Sequence, residues 1–177
     1  ILRTPEDVLK WNDWSYAADS ANTYWSGYFV LGNDIDMEGY NYEGRFWYGN
    51  MYDMNTWTVL PQYAGLNFRD GKTGGFRGIF DGKGYNIDNL HITTWTGSFC
   101  GQIAQAGIIR NVSFTNVRLD GAAALISVGG NGTIENIYAH IVSAVTGNAG
   151  NLDKTGVFFA GDSMADARVN NCFVDFG

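Results

Sequence analysis

One short phrase returns four times along the chain, and it restricts the possible folds more than any other feature. It reads Ile87-Asp88-Asn89-Leu90-His91-Ile92, Ile109-Arg110-Asn111-Val112-Ser113-Phe114, Ile134-Glu135-Asn136-Ile137-Tyr138-Ala139 and Val169-Asn170-Asn171-Cys172-Phe173-Val174. The shared pattern is apolar, polar, Asn, apolar, polar, apolar, with the asparagines 22, 25 and 35 residues apart. Repeats at such periods belong to solenoids, in which no single unit can bury its own apolar face. The spacing predicts an all-β chain wound as a parallel β-helix. Ile87, Leu90 and Ile92 would line the interior, with Asp88 and His91 facing water. Because Ile87 and Leu90 are three apart, the strand needs an irregularity between them. Asn tolerates left-handed backbone angles and supplies one. Stacking would then set Asn89, Asn111 and Asn136 above one another about 4.8 Å apart, close enough for their amides to bond along the stack. The competing arrangement is a β-sandwich with four unrelated turn asparagines.

The 177 residues fit one domain with a sizeable core. Twenty-four glycines with only two prolines suit repeated tight turns rather than a disordered tail. A net charge of −7 argues against nucleic acid or an anionic membrane as partner. No apolar run approaches the roughly 18 residues of a membrane span, so membrane insertion is not expected. Cys100 and Cys172 fall in different repeats, about 10–14 Å apart along a stack, beyond disulfide reach. Two free thiols follow, packed as small apolar groups.

In chain order, residues 4–18 predict a helix. Thr4 caps it, Pro5 opens the first turn, and Glu6 and Asp7 sit at its positive end. Val8, Leu9, Trp11, Trp14 and Ala18 make an apolar side suited to covering the open end of a stack. Leu31, Ile35 and Met37 then point one way and Asp34 and Asp36 the other, as in a first strand. Residues 39–75 interrupt the rhythm as an aromatic-rich insertion, and 76–176 form regular coils, with second strands at 98–100, 125–128 and 157–159. The chain begins at Ile1, as a processed secreted protein or a fragment of a longer one would. The fourth repeat is not followed by a capping helix, so the C-terminal end is expected to continue into, or pack on, another domain or chain.

The insertion carries the best candidate binding residues. Trp47, Tyr48, Tyr52 and Trp57 offer flat apolar faces with polar rims, suited to sugar rings or to protein contacts. Asp53 stands among them with Asn50 and Asn55 to bond hydroxyls. The alternative use of these rings is packing against the wall of the stack. Catalysis has less to stand on, since His91 and His140 are the only histidines and no metalloprotease signature or phosphate loop occurs. Asp34 and Asp36, roughly 6–7 Å apart by strand rise, with Asp81, are candidate acids for a β-helix carbohydrate-active enzyme. No cofactor is implied, although Asp34, Asp36 and loop oxygens could hold Ca²⁺.

Three stretches resemble a bacterial group: Tyr28 with Leu31-Gly32-Asn33-Asp34-Ile35-Asp36-Met37, the run Phe76 to Ile87, and Gly132-Thr133-Ile134-Glu135-Asn136-Ile137. The group is the right-handed β-helix segments with GLUG-type repeats of large secreted or wall-anchored proteins. These occur in surface adhesins of gut bacteria and in the non-catalytic region of immunoglobulin-A-cleaving metallopeptidases. The likeness covers about residues 4–38 and 75–176. It implies a right-handed coil, a secreted or cell-surface location in a bacterium, and a non-catalytic adhesion or spacer role. Polysaccharide or a host surface protein would be the partner, met through residues 40–63. The alternative is a polysaccharide lyase or glycoside hydrolase of β-helix type using surface carboxylates.

Overall fold

The computed structural model describes residues 1–16, 27–40, 52–53, 58–59, 76–92, 99, 103, 106–120, 125–126, 132–145 and 167–177. Among them one helix, α1 (Pro5–Tyr16), precedes ten strands. Its start is a reciprocal cap, with Asp7 N donating to Thr4 Oγ1 while Asp7 Oδ2 accepts from the amides of Thr4 and Arg3. Val8 and Trp11 are buried, and Trp11 lies 4.6 Å from the Phe80 ring and 5.0 Å from that of Phe99, centroid to centroid. Ala18 lies outside the described residues, as does the Trp14 side chain.

The strands are β1 (Tyr28–Val30), β2 (Ile35–Asp36), β3 (Tyr52–Asp53), β4 (Thr58–Val59), β5 (Ile79–Asp81), β6 (Asn86–Asp88), β7 (His91–Ile92), β8 (Ile108–Asp120), β9 (Thr133–Val145) and β10 (Arg168–Phe176). Eight of them form one sheet in which every pairing is parallel. Its layers follow chain order: β1 and β2, then β5 to β7, then β8, β9 and β10. We call each layer a rung. Parallel neighbours cannot be joined by hairpins, so the chain travels away and returns between rungs. On the return, Phe99 N bonds to Leu125 O at 2.7 Å and Phe76 bridges Ile103 in parallel. The sheet does not close on itself over the described residues. β3 and β4 stand apart as an antiparallel pair.

Register builds apolar columns. Ile35, Ile87, Phe114, Ala139 and Val174 stack in one, and Phe29, Phe80, Ile109, Ile134 and Val169 in another. Leu31, Ile35 and Met37 are buried, as their alternation predicts. Along β8 the buried residues are Ile109, Val112, Phe114, Val117 and Leu119, in steps of three, two, three and two. Each step of three straddles an asparagine in the left-handed region, Asn111 (φ 53°) or Asn116 (φ 52°). One such residue bends the strand and returns the next side chain to the interior. β9 has Asn136 (φ 54°) but nothing equivalent to Asn116, and the β8–β9 register shifts between Phe114 and Arg118.

One expectation is corrected. Asn89 does not stack with Asn111 and Asn136. Register sets Asp88 beside Thr115, so Asn89 belongs with Asn116 at a second corner. At the first corner, Asn111, Asn136 and Asn171 stack, and the rung before them turns instead through Gly82 to Tyr85, with Lys83 and Gly84 at positive φ.

Glycine marks where the first four rungs begin. Ile79, Ile108, Thr133 and Arg168 donate their amides to the carbonyls of Gly27, Gly78, Gly107 and Gly132 in turn. The approach is backbone on backbone: a Cβ on Gly78 would stand 2.2 Å from Gly27 O, and one on Gly107 2.1 Å from Phe76 O.

Candidate binding surface and the asparagine ladders

The stacked corners put polar side chains in columns on the outside of the sheet. Asn171 Nδ2 donates to Asn136 Oδ1 at 2.8 Å, and Asn136 Nδ2 to Asn111 Oδ1 at 2.9 Å. Asn111 Nδ2 donates to Asp81 Oδ1 at 3.1 Å. At the second corner Asn116 Nδ2 donates to Asp88 Oδ1 and Asn89 Nδ2 to Asp36 Oδ1, both at 2.9 Å. The column at the first corner therefore starts on a carboxylate, and at the second each asparagine bonds a carboxylate of its own. An ionised carboxylate can only accept, whereas an amide must both give and take, so an Asp beneath the first Asn fixes the direction of all those above it.

Asp81 is the most heavily used of these acids and is 1% exposed. Besides Asn111 it accepts from Lys83 N at 3.0 Å, Arg110 Nε at 3.0 Å and Tyr28 Oη at 3.1 Å. Lys83 Nζ lies 3.4 Å from its Oδ2 and 5.8 Å from the Tyr28 ring centre. Burial works to raise this carboxyl, but the hydrogen bonds, led by that of Asn111, outweigh it and hold it at about 2. Asp36 is also held below the usual range, by Asn89 and then by the Glu38 amide. Asp34 Oδ1 accepts from Asn86 N at 2.8 Å. The three candidate acids thus have bonds that shape corners and join rungs. A general acid needs a proton to give near neutral pH, and Asp81 is the opposite of that.

The other candidates fall mostly elsewhere. Trp47, Tyr48 and Trp57 lie outside the described residues. Tyr52 and Asp53 form β3, where Tyr52 pairs with Val59 and Asp53 with Thr58. The insertion therefore contains a short antiparallel pair, and Trp57 immediately precedes its second strand in sequence. Among the described residues no group of three His, Cys, Asp or Glu is placed to hold a metal ion, and no helix is long and apolar enough to cross a membrane. Cys172 is a free, half-buried thiol whose pKa burial pushes up, while Cys100 lies outside the described residues.

Two features go beyond the four copies of the repeat named above. Phe114-Thr115-Asn116-Val117-Arg118-Leu119 matches the same six-residue pattern, five residues after the copy at Asn111, and it marks the second corner. Tyr138 and Phe173 stack outside the sheet with ring centres 6.0 Å apart and planes within 5°. Both sit two residues after the corner asparagine of adjacent repeats, which was the available signal. Comparison with family models, curated proteins and solved structures finds no match to this chain.

Proposed function

We propose that this chain is a right-handed parallel β-helix segment of a bacterial secreted or cell-surface protein. It acts as a non-catalytic binding or spacer module, of the GLUG-repeat adhesin type, and meets polysaccharide or a host surface protein through residues 40–63. One observation carries the reading: five parallel rungs in chain order, with an asparagine ladder joining one corner of the last three. Such a stack is rigid along its axis and presents whatever is inserted between rungs at a fixed height. Trp47, Tyr48, Tyr52, Trp57 and Asp53 are the contacts, all within one insertion between the first rung and the second. The carboxylates that an enzyme would need serve the corners instead, which favours binding over turnover.

A polysaccharide binding screen run beside a reducing-sugar release assay tests this. The expected result is retention on at least one glycan without sugar release, weakened at least tenfold by Trp47→Ala with Trp57→Ala. Turnover abolished by Asp34→Asn would overturn it in favour of a hydrolase or lyase. Binding unchanged in the double variant would move the contact away from the insertion.

A further inference from the structure

The wall of the stack between its two corners differs from the corners themselves. Past Asn111, Asn136 and Asn171 alternate side chains turn outward, while Phe114 and Ala139 stay buried between them. Register sets the outward residues in two columns. One holds Asn86, Ser113, Tyr138 and Phe173. In the other, Asp36, Asp88 and Thr115 stack, and farther along the axis His140 pairs with Asp175. The first column grows from small side chains to rings. Tyr138 is one rung above Ser113, and the Phe173 ring lies parallel to its own at 6.0 Å. Tyr138 is 37% exposed although β9 has a strand on either side. The exposure is therefore lateral. Strands are added along the axis, so one beyond β10 would lengthen this wall without covering it.

The polar groups beside the rings are unspent. At the corners side chains bond one another, Asn136 to Asn111, Asn116 to Asp88, and Thr115 to Asp88 at 2.6 Å. The Ser113 and Tyr138 hydroxyls, the His140 imidazole and the Asp175 carboxylate have no hydrogen-bond partner among the described residues. Together they can donate and accept, and each can exchange water for a ligand hydroxyl at little cost.

Size and charge narrow what this wall can hold. Two rings offer about 300–500 Å² at most, well short of the roughly 800 Å² that a protein partner covers on each side. The two columns contain Asp36, Asp88 and Asp175 but no Lys or Arg, which disfavours an anion. An uncharged molecule with flat apolar faces and a rim of hydroxyls meets both the rings and the polar groups.

We propose that the outward wall of β8, β9 and β10 around Tyr138 is a binding site for a neutral oligosaccharide, stacked on the aromatic pair and hydrogen-bonded by Ser113, His140 and Asp175. The site needs only the parallel register of these three strands, and stands apart from the contact assigned to residues 40–63.

Cellohexaose, xylohexaose, mannohexaose and hexagalacturonate titrated into the native 177-residue chain test it, with the imidazole signals followed by NMR. His91, the other histidine, pairs with Arg118 past the second corner and serves as an internal reference. At least one neutral hexasaccharide should move the His140 signals saturably and leave those of His91 in place. Hexagalacturonate should bind at least tenfold more weakly. Tyr138→Ser, which repeats the residue one rung below, should weaken the neutral ligand at least tenfold, and Tyr138→Phe should weaken it less. Absence of a saturable His140 response to every neutral ligand, or equal binding of hexagalacturonate, would overturn the site. So would a Tyr138→Ser chain that melts earlier yet binds as before, since the ring pair would then serve only to join rungs. Binding that leaves His140 unmoved and falls with Trp47→Ala and Trp57→Ala together would overturn this wall alone and uphold the insertion.

Discussion

Asp81 shows how much one side chain contributes when it sits where a column begins. Its folded pKa of about 2 lies below the ordinary 3.8, so ionised Asp81 favours the folded state. That contribution is present above about pH 4 and is lost as pH falls toward about 2, amounting to about 2 kcal/mol. For a chain of this size it corresponds to a melting temperature lower by about 5 °C. Thermal unfolding followed from pH 6 to pH 2 should show that drop in the native chain and a flatter profile in Asp81→Asn. The slope left in the variant belongs to other carboxyls held low, by Asn89 on Asp36, the Arg3 amide on Asp7 and Tyr40 on Glu6. Identical profiles for both proteins would remove Asp81 from its assigned role.

At the scale of the element, the glycines that open the rungs matter as much as the asparagines that bend them. Gly107 stands where a Cβ would meet the Phe76 carbonyl at 2.1 Å, and that carbonyl belongs to a segment bridged to Ile103. Gly107→Ala should therefore cost about 3 kcal/mol through overpacking, measured as a shifted urea midpoint. A loss below about 0.5 kcal/mol would mean that the rungs can slide apart. The glycines were legible in principle, since Gly107 and Gly132 are separated by the same 25 residues as Asn111 and Asn136. The irregularity at Asn89 was legible in practice, because Ile87 and Leu90 had to share a face three residues apart. Its column was not legible. Asn89 and Asn111 carry the same local pattern, and only the pairing of Asp88 with Thr115 assigns them to different corners. The helix start could be read closely because Thr4, Pro5 and Asp7 act within four residues of one another. The aromatic insertion could not be, since a run of rings shows an apolar load without saying what bears it.

For the whole molecule, the one-dimensional arrangement predicts a gradient. Among the described residues β8 and β9 are paired on both edges and β10 on one. In a stack whose layers touch only their neighbours, opening should proceed from the less supported end. Amide hydrogen exchange should thus be slowest in β8 and β9, and at least tenfold faster in β10. Uniform protection across all three would instead indicate a single cooperative block. The longer route between the first rung and the second has a different meaning. Tyr28 and Ile79 pair directly although 51 residues separate them, whereas Ile108 and Thr133 pair after only 25. The frame is thus indifferent to how much polypeptide departs and comes back between two levels. The stretch between Tyr40 and Phe76 is in effect a cassette, and another sequence of different length could be grafted there without re-cutting the frame that holds it.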